Sequence, residues 1–391
     1  MSKVLVLDPE QRAALATVRS LGKRGITVIT AGHTSSPIAA ASRHASAHFA
    51  LPDPAERPTE FVHALGDLLT REIIDVLMPV TDLTTSLVLD NPALLALAST
   101  ALPTPAAYHR LSDKYGLFET AQTQGLPMPR TVFLDDAAQL DGLELPFPYP
   151  VVVKPARSRI FFGGRWISTS VAYAKNAEEL RTRIAARPWF PHVPILLQEY
   201  VTGEGQGVFC LFERGEAVAF FAHRRLREKP PSGGVSVLCE SAAVPSRLRE
   251  TAVSLLTQQA WHGLAMVEFK VGPDGTPYLM EVNARPWGSM QLAIDAGVDF
   301  PYYQYCIACG IDVPREPRYR QGVRSRWLLG DLDRLYLVLK DRSGRYSAGQ
   351  KLRQALEFLN PFSASGYDTL QLRDLGPFRA ELSTYLRQLR H

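Results

Sequence analysis

The chain has 391 residues, 46% of them hydrophobic and 21% charged, with a net charge of +4. That length exceeds one ordinary core and predicts two or three domains, while the composition excludes a disordered or fibrous chain. So small a charge does not call for nucleic acid. No apolar run approaches the roughly eighteen residues of a membrane span, and the start MSKVLVLDPE lacks the regions of a signal peptide, so a cytoplasmic protein is expected.

From the amino terminus, KVLVLD (3 to 8) reads as a buried strand, PEQRAALATVRSLGKRG as a helix opened by proline and closed at Gly25, and ITVITAG as the next strand. HFALP is a short third strand, TEFVHALGDLLTRE a helix, and IIDVLMPVTD a fourth strand ending in polar residues. Such alternation predicts an open parallel sheet with helices on both faces. The first turn, LDPEQRA, lacks the glycine fingerprint GxGxxG, which removes the main support for a nicotinamide oxidoreductase.

From Thr104 the texture changes. PAAYHRLSDKYGLFETAQTQGLPMP reads as two helices, the second capped by Ser112 or Asp113 and broken at Gly125 and Pro127. PYPVVVKPA is a compact strand from Pro150 to Pro155, RSRIFFGGRWIST a loop, and NAEELRTRIAAR a helix after a return strand. Then come the strand ILLQEYV, the antiparallel run GVFCLFERGEAVAFFAHRRL, the long helix SRLRETAVSLLTQQAWHG, and two strands, AMVEFKV and PYLMEVN, joined by GPDGT. Cys306 and Cys309 share a CxxC spacing in an apolar stretch without a second pair, so packing is their expected role.

Two acids stand among apolar residues on those last strands: Glu268 in MVEFK and Glu281 in MEVN. A carboxylate there is costly unless a cation shares the site, and Mg²⁺ takes few protein oxygens while keeping positions for water and phosphate. Asn283 and Arg285 follow Glu281 at every second position, hence on one face of an extended chain. The alternative is a set of exposed ladder pairs, Glu268 with Lys270 and Glu281 with Arg285.

Lys154 ends an apolar strand, where an isolated ammonium needs an anion. Lys114 sits in the first turn of a helix, where its charge opposes the helix dipole. Ser158, Gly163, Gly164, Ser168 and Thr169 follow Lys154 and could lie over phosphates. In QEYVTGEG, backbone groups could read an adenine edge while Glu204 accepts from a ribose hydroxyl.

In this order, DK at a helix start, VVVKP, QEYVTGE, VEF and MEVNARP resemble the ATP-grasp superfamily over about residues 104 to 310. The likeness points to the branch containing carbamoyl phosphate synthetase, biotin carboxylase and the D-aspartate type of carboxylate–amine ligase. It implies an α/β and α+β protein: an N-terminal open parallel α/β domain (1–103), and an ATP-grasp domain (104–310) of two α+β subdomains at about 130–203 and 204–310. A basic, mostly helical extension (311–391) follows.

The resemblance further implies that Lys114, Lys154, Ser158, Gly163 and Gly164 hold ATP phosphates. Gln198, Glu199, Tyr200 and Val201 would form the adenine hinge, with Glu204 on the ribose. Glu268, Glu281 and Asn283 would bind two Mg²⁺ ions, for which Mn²⁺ can substitute. Arg285, with Arg225 and Arg227 from HRRLREKPPSGG, would act on the transferred phosphate or an anionic substrate. The loop after Lys154 departs from the pattern, with two glycines and bulky Ile160, Phe161, Phe162 and Trp166, so an apolar lid is expected.

The implied activity is ATP-dependent amide formation through an acyl phosphate, from small-molecule carboxylate and amine substrates. Bicarbonate activation and a non-catalytic nucleotide-binding module are the alternatives. Trp287 is expected to pack. The tail carries 15 Lys and Arg against 9 Asp and Glu from Ile311 onward. It reads as amphipathic helices that pack back on the core, with homodimer formation or an acidic partner as other uses.

Overall fold

A computed structural model describes residues 2–140, 142–187, 189–190, 193–360 and 363–388; the rest of the tail lies outside the described residues. The first third forms β1 (Lys3–Leu7), α1 (Arg12–Gly22), β2 (Thr27–Gly32), β3 (Ala47–Ala50), α2 (Pro58–Glu72), β4 (Val76–Met78), α3 (Asp82–Leu89) and α4 (Pro92–Leu95). The strands run parallel in the order β3-β2-β1-β4. Val4 and Val6 face one core cluster with α1, whereas Leu5 and Leu7 face another with α2, as period two requires of a sheet covered on both sides.

One carboxylate ties the strand ends together. Asp8 leaves β1 at φ 55° and accepts from the amides of Val80 and Thr81 and from Thr84 Oγ1 at 2.6 Å. Burial raises its pKa to about 6 against those hydrogen bonds. The bonds aim the start of α3, and hence Asp82, over the next part of the chain.

There α5 (Pro105–Ser112) and α6 (Lys114–Thr123) meet at Asp113, whose side chain caps α6 by accepting from the Tyr115 amide. Strands β5 (Thr131–Leu134), β6 (Val151–Pro155), β9 (Ala172–Ala174) and β10 (Ile195–Glu199) make an antiparallel sheet ordered β5-β10-β6-β9, backed by α7 (Ala177–Ala185). The segment expected as a loop is instead a hairpin, β7 (Arg159–Phe162) with β8 (Arg165–Ser168). Gly163 and Gly164, at φ 61° and 83°, make its two-residue turn, and positive φ at both positions suits strand twist.

A seven-stranded sheet, β15-β14-β11-β12-β13-β16-β17, holds the rest. Its long strands are β11 (Glu204–Glu213), β12 (Glu216–Lys229), β13 (Val235–Ala242), β14 (Gly263–Val271) and β15 (Pro277–Asn283), with α8 (Ser246–Gln258) on one face and α9 (Met290–Ala296) and α10 (Phe300–Ala308) on the other. The tail is not only helical: β16 (Arg324–Arg326) pairs antiparallel with β13, and β17 (Gly366–Tyr367) pairs with β16. Helices α11 (Leu328–Lys340), α12 (Ala348–Leu359) and α13 (Gly376–Gln388) complete it. Among the described residues no helix is long and apolar enough to cross a membrane.

The tail also locks onto the first sheet. Arg19, 1% exposed, places Nε 2.8 Å from Asp374 and donates to the carbonyls of Asp368, Thr369 and Asp374. Asp374 takes further donors from Ser42 and the Arg43 amide. Removing one partner of a buried pair strands the other, so Arg19→Leu is expected to cost about 3–5 kcal/mol in guanidinium unfolding. A loss below about 1 kcal/mol would show that the tail does not depend on this lock.

Candidate active site

The antiparallel register of β14 and β15 sets Glu268 opposite Glu281 and Met266 opposite Asn283. Asn283 Nδ2 spans the two acids, 3.1 Å from Glu268 Oε1 and 3.2 Å from Glu281 Oε1. Its Oδ1 accepts from Arg285 Nη2 at 3.1 Å, while Arg285 Nε reaches Asp82 at 2.7 Å. Arg225 from β12 lies 3.0 Å from Glu268, and Lys114 from α6 lies 3.2 Å from Glu281. The ladder pairs of Glu268 with Lys270 and Glu281 with Arg285 are therefore not what forms.

The two carboxylates titrate apart. Burial and the neighbouring Glu281 raise Glu268, against the pull of Arg225. Burial alone would raise Glu281 too, but the Lys114 ammonium and the Asn283 amide hold it below the usual range. Among the described residues no three His, Cys, Asp or Glu side chains gather as a metal cluster; the set here is two carboxylates and an amide.

Beside them is a cavity of 220 Å³ between the two antiparallel sheets, lined by Lys114, Lys154, Gln198, Tyr200, Lys270 and Glu281 among others. Lys154 is buried, 3.9 Å from Met280 Sδ and 5.3 Å from the Phe118 ring centre, and pairs with no carboxylate among the described residues. Gln198 donates from Nε2 to Thr131 at 2.9 Å, while its Oε1 is buried without a donor. Among the described residues the Lys154 ammonium thus has no counter-charge and Gln198 Oε1 no donor, which is costly unless a ligand supplies them.

A profile for the family described as "ATP-grasp in the biosynthetic pathway with Ter operon" matches residues 191–330, a span containing both carboxylates, Asn283, Arg225 and Arg285. Over those residues the chain matches an ATP-grasp family. A D-alanine–D-alanine ligase of Anaeromyxobacter sp. is 29% identical over 184 residues, 44% of this chain and 56% of that protein. A D-aspartate ligase of Enterococcus faecium is 22% identical over 189 residues, 46% and 45% of the two chains. The chain spans about half the length of the curated relatives it matches. Among solved structures, the biotin carboxylase of Campylobacter jejuni has a TM-score of 0.67 over 83% of this chain and 74% of that one, at 17% identity, a likeness of fold.

Within this ATP-grasp fold not every expected residue reaches the cavity. Glu199 and Val201 line it, but the Glu199 carboxylate turns to Arg130 at 2.7 Å, and Tyr200 lies under Lys270 Nζ at 5.5 Å. Ser158 accepts from Lys114 Nζ at 2.9 Å in an adjoining pocket. Gly163 and Gly164 are displaced from both pockets, because the hairpin leans on the first domain: Trp166 N donates to Ala55 O at 3.1 Å, and Arg165 stands 3.9 Å from Glu56. Glu204 is exposed at the start of β11 and lines neither pocket.

Arg227 is a correction. Register shifts on either side of it turn it away from Arg225, and its Nη1 sits 2.9 Å from the fully buried Asp331. Arg326 reaches the same aspartate at 2.7 Å. Trp287 packs on Phe209 and Phe300, as expected. The residue that motif reading missed is Asp82, the partner of Arg285; the polar end of IIDVLMPVTD was its only signal in the sequence.

Lys154 carries a stability consequence. Burial first, and then Lys114, lowers its pKa from 10.5 to about 8. A base depressed in the fold contributes stability above its unfolded pKa and loses it as pH falls through the folded value. At pH 7 the charged group therefore weighs against the unliganded fold by roughly 3 kcal/mol. Lys154→Met should stabilise the unliganded protein at pH 7 by about 1–3 kcal/mol and flatten its stability curve between about pH 8 and 10. Chemical denaturation across that range checks this, and a destabilised variant would show that the ammonium already has its counter-charge.

Proposed function

We propose that the protein is an ATP-dependent carboxylate–amine ligase that forms an amide through an acyl phosphate, releasing ADP and phosphate. The observation that carries this reading is the buried Lys154 ammonium, without an anion of its own among the described residues, in a cavity bordered by Glu281 of the paired carboxylates. The names of the two sequence relatives, both amino-acid ligases, support the substrate class.

The residues fit nucleotide and metal on their own chemistry. Three donors, Asn283 Nδ2, Arg225 and Lys114, already converge on Glu268 and Glu281, so the acid pair demands positive charge. Glu268, Glu281 and Asn283 are the groups that would hold Mg²⁺, or Mn²⁺, two ions in this reading. Bound there, the metal supplies charge neutralisation of the phosphates.

Lys154 and Lys114, the latter also paired with Glu281, offset the phosphate charge, and Ser158 orients Lys114. The adenine is assigned to the Gln198–Val201 edge. Arg225 and Arg285 sit beside the acids, where the γ-phosphoryl group would transfer, and Asp82 fixes the second guanidinium.

A substrate carboxylate oxygen attacks the γ-phosphorus and the bond to ADP breaks. An uncharged amine then attacks the acyl carbon; phosphate leaves with the C–O electrons, and the amine proton passes to solvent. Positioning and electrostatics carry such a transfer, so no nucleophilic side chain is required. The reading places the protein in the cytoplasm, where ATP is.

Glu281→Gln should lower ADP release at least about 100-fold while cooperative unfolding persists. The assay is a screen of amino acids and carboxylic acids for stimulated ADP release, with the product's mass determined. Near-wild-type turnover by the variant would remove Glu281 from the reaction, and turnover dependent on bicarbonate alone would favour carboxylation. ADP should raise the thermal midpoint of the wild type and not that of Lys154→Met.

A further inference from the structure

A second cavity, of 1120 Å³, is not used by the chemistry above. Its walls come from three parts of the chain: the β1–α1 turn and the segment 33–38 after β2, the ends of β12 and β13 at Lys229 and Val235, and the tail at Trp327, Leu329 and α13. The volume slightly exceeds the roughly 300–1,000 Å³ of sites that enclose drug-sized ligands. A lone small amino acid would leave most of it empty.

The lining charges sort themselves. Arg12 is ion-paired with Asp368 and stacks over Trp327 at 4.1 Å; Lys229 is ion-paired with Asp333 and lies 5.4 Å from the same ring. Tyr385 donates to Asp333, and Trp327 Nε1 donates to Glu381. Among the described residues, Glu10 meets no cation and its Oε2 no donor, and Thr34 Oγ1 is likewise buried without a partner. Arg387, on α13, is the lining guanidinium with no carboxylate among the described residues; it donates to Thr384. Ile38, Val235 and Leu329 supply apolar wall between.

The Glu10 end of the cavity is linked through the chain to the elements that position Arg285. Glu10 is two residues from Asp8, which aims Asp82 and so Arg285. A side chain at Gly288, three residues past Arg285, would stand 2.9 Å from Arg12. Lys229 lies four residues along β12 from Arg225, about 13 Å in an extended strand, so the cavity runs away from the acids toward α13.

From this we infer that the 1120 Å³ cavity binds the amine substrate, and that this substrate is a zwitterion longer than one amino acid, a short apolar peptide whose ammonium lies toward Glu10 and whose carboxylate lies toward Arg387. The inference rests on the ligase reading for which group reacts, but binding can be measured without nucleotide. A carboxylate and a guanidinium that meet no counter-charge among the described residues, Glu10 accepting from Gln11 Nε2 at 3.3 Å and Arg387 donating to Thr384, stand at separate places on the wall; they select for both charges at once, and the ionic contacts hold the peptide's direction.

Calorimetry with leucyl-phenylalanine, its N-acetyl form, its C-terminal amide and free alanine tests this on the full chain. The dipeptide should bind at least tenfold more tightly than the other three. Glu10→Gln should erase the preference over the acetylated form, and Arg387→Gln the preference over the amide. Val235→Trp, at an exposed position on the wall, should weaken the dipeptide more than alanine, and thermal unfolding reports that each variant is folded. Equal binding of the capped forms, no binding of the dipeptide, or variants that leave the preferences intact would overturn the assignment. ADP titration is read separately: dipeptide binding without ADP binding would sink the ligase reading and leave the cavity's ligand standing.

Discussion

Glu268 and Glu281 face each other across neighbouring strands, and two carboxylates brought that close in a partly desolvated place repel unless positive charge is delivered to them. The surrounding architecture can be understood as that delivery. Lys114 comes from a helix start, Arg225 from β12, the sheet's fourth strand counted from β15, and Asn283 from beyond Glu281 itself, while Arg285 is held by an aspartate of the first domain. Each contact is short, and each arrives from a different element.

The same demand explains why the parallel sheet matters to a site it does not contain. Asp8 knits β1 to the start of α3, α3 presents Asp82, and Asp82 orients Arg285. The tail holds that sheet in place through Arg19, Asp368 and Asp374, and adds β16 to the edge of the large sheet. A misplaced tail would therefore reach the acids through a relay of hydrogen bonds.

Lys154 shows the other side of the arrangement. Unlike Lys114 it has no carboxylate to rest on among the described residues, so the unliganded fold bears the cost of its burial, and a phosphate would relieve it. That cost separates it from Arg227 of β12 and Arg326 of the tail, which share a buried aspartate and serve the packing of α11 against the sheet.

Period-two alternation and short-range helix signals made most elements legible in the chain itself: the four parallel strands, a helix cap at Ser112 or Asp113, and the hairpin that sets Glu268 beside Glu281. Buried acids and a buried lysine in apolar strands announced a site because charge there is expensive wherever the fold goes. What local pattern could not carry was direction. A pair of glycines closed a hairpin in a segment that reads as a loop, register shifts on both sides of Arg227 sent it to Asp331, and Asp82 met Arg285 across 203 residues of chain. Alternation and desolvation act within a few residues and are written in the sequence, whereas bulges, ion-pair choice and the enclosure of a cavity by three distant segments depend on packing that exists only once the sheets have met.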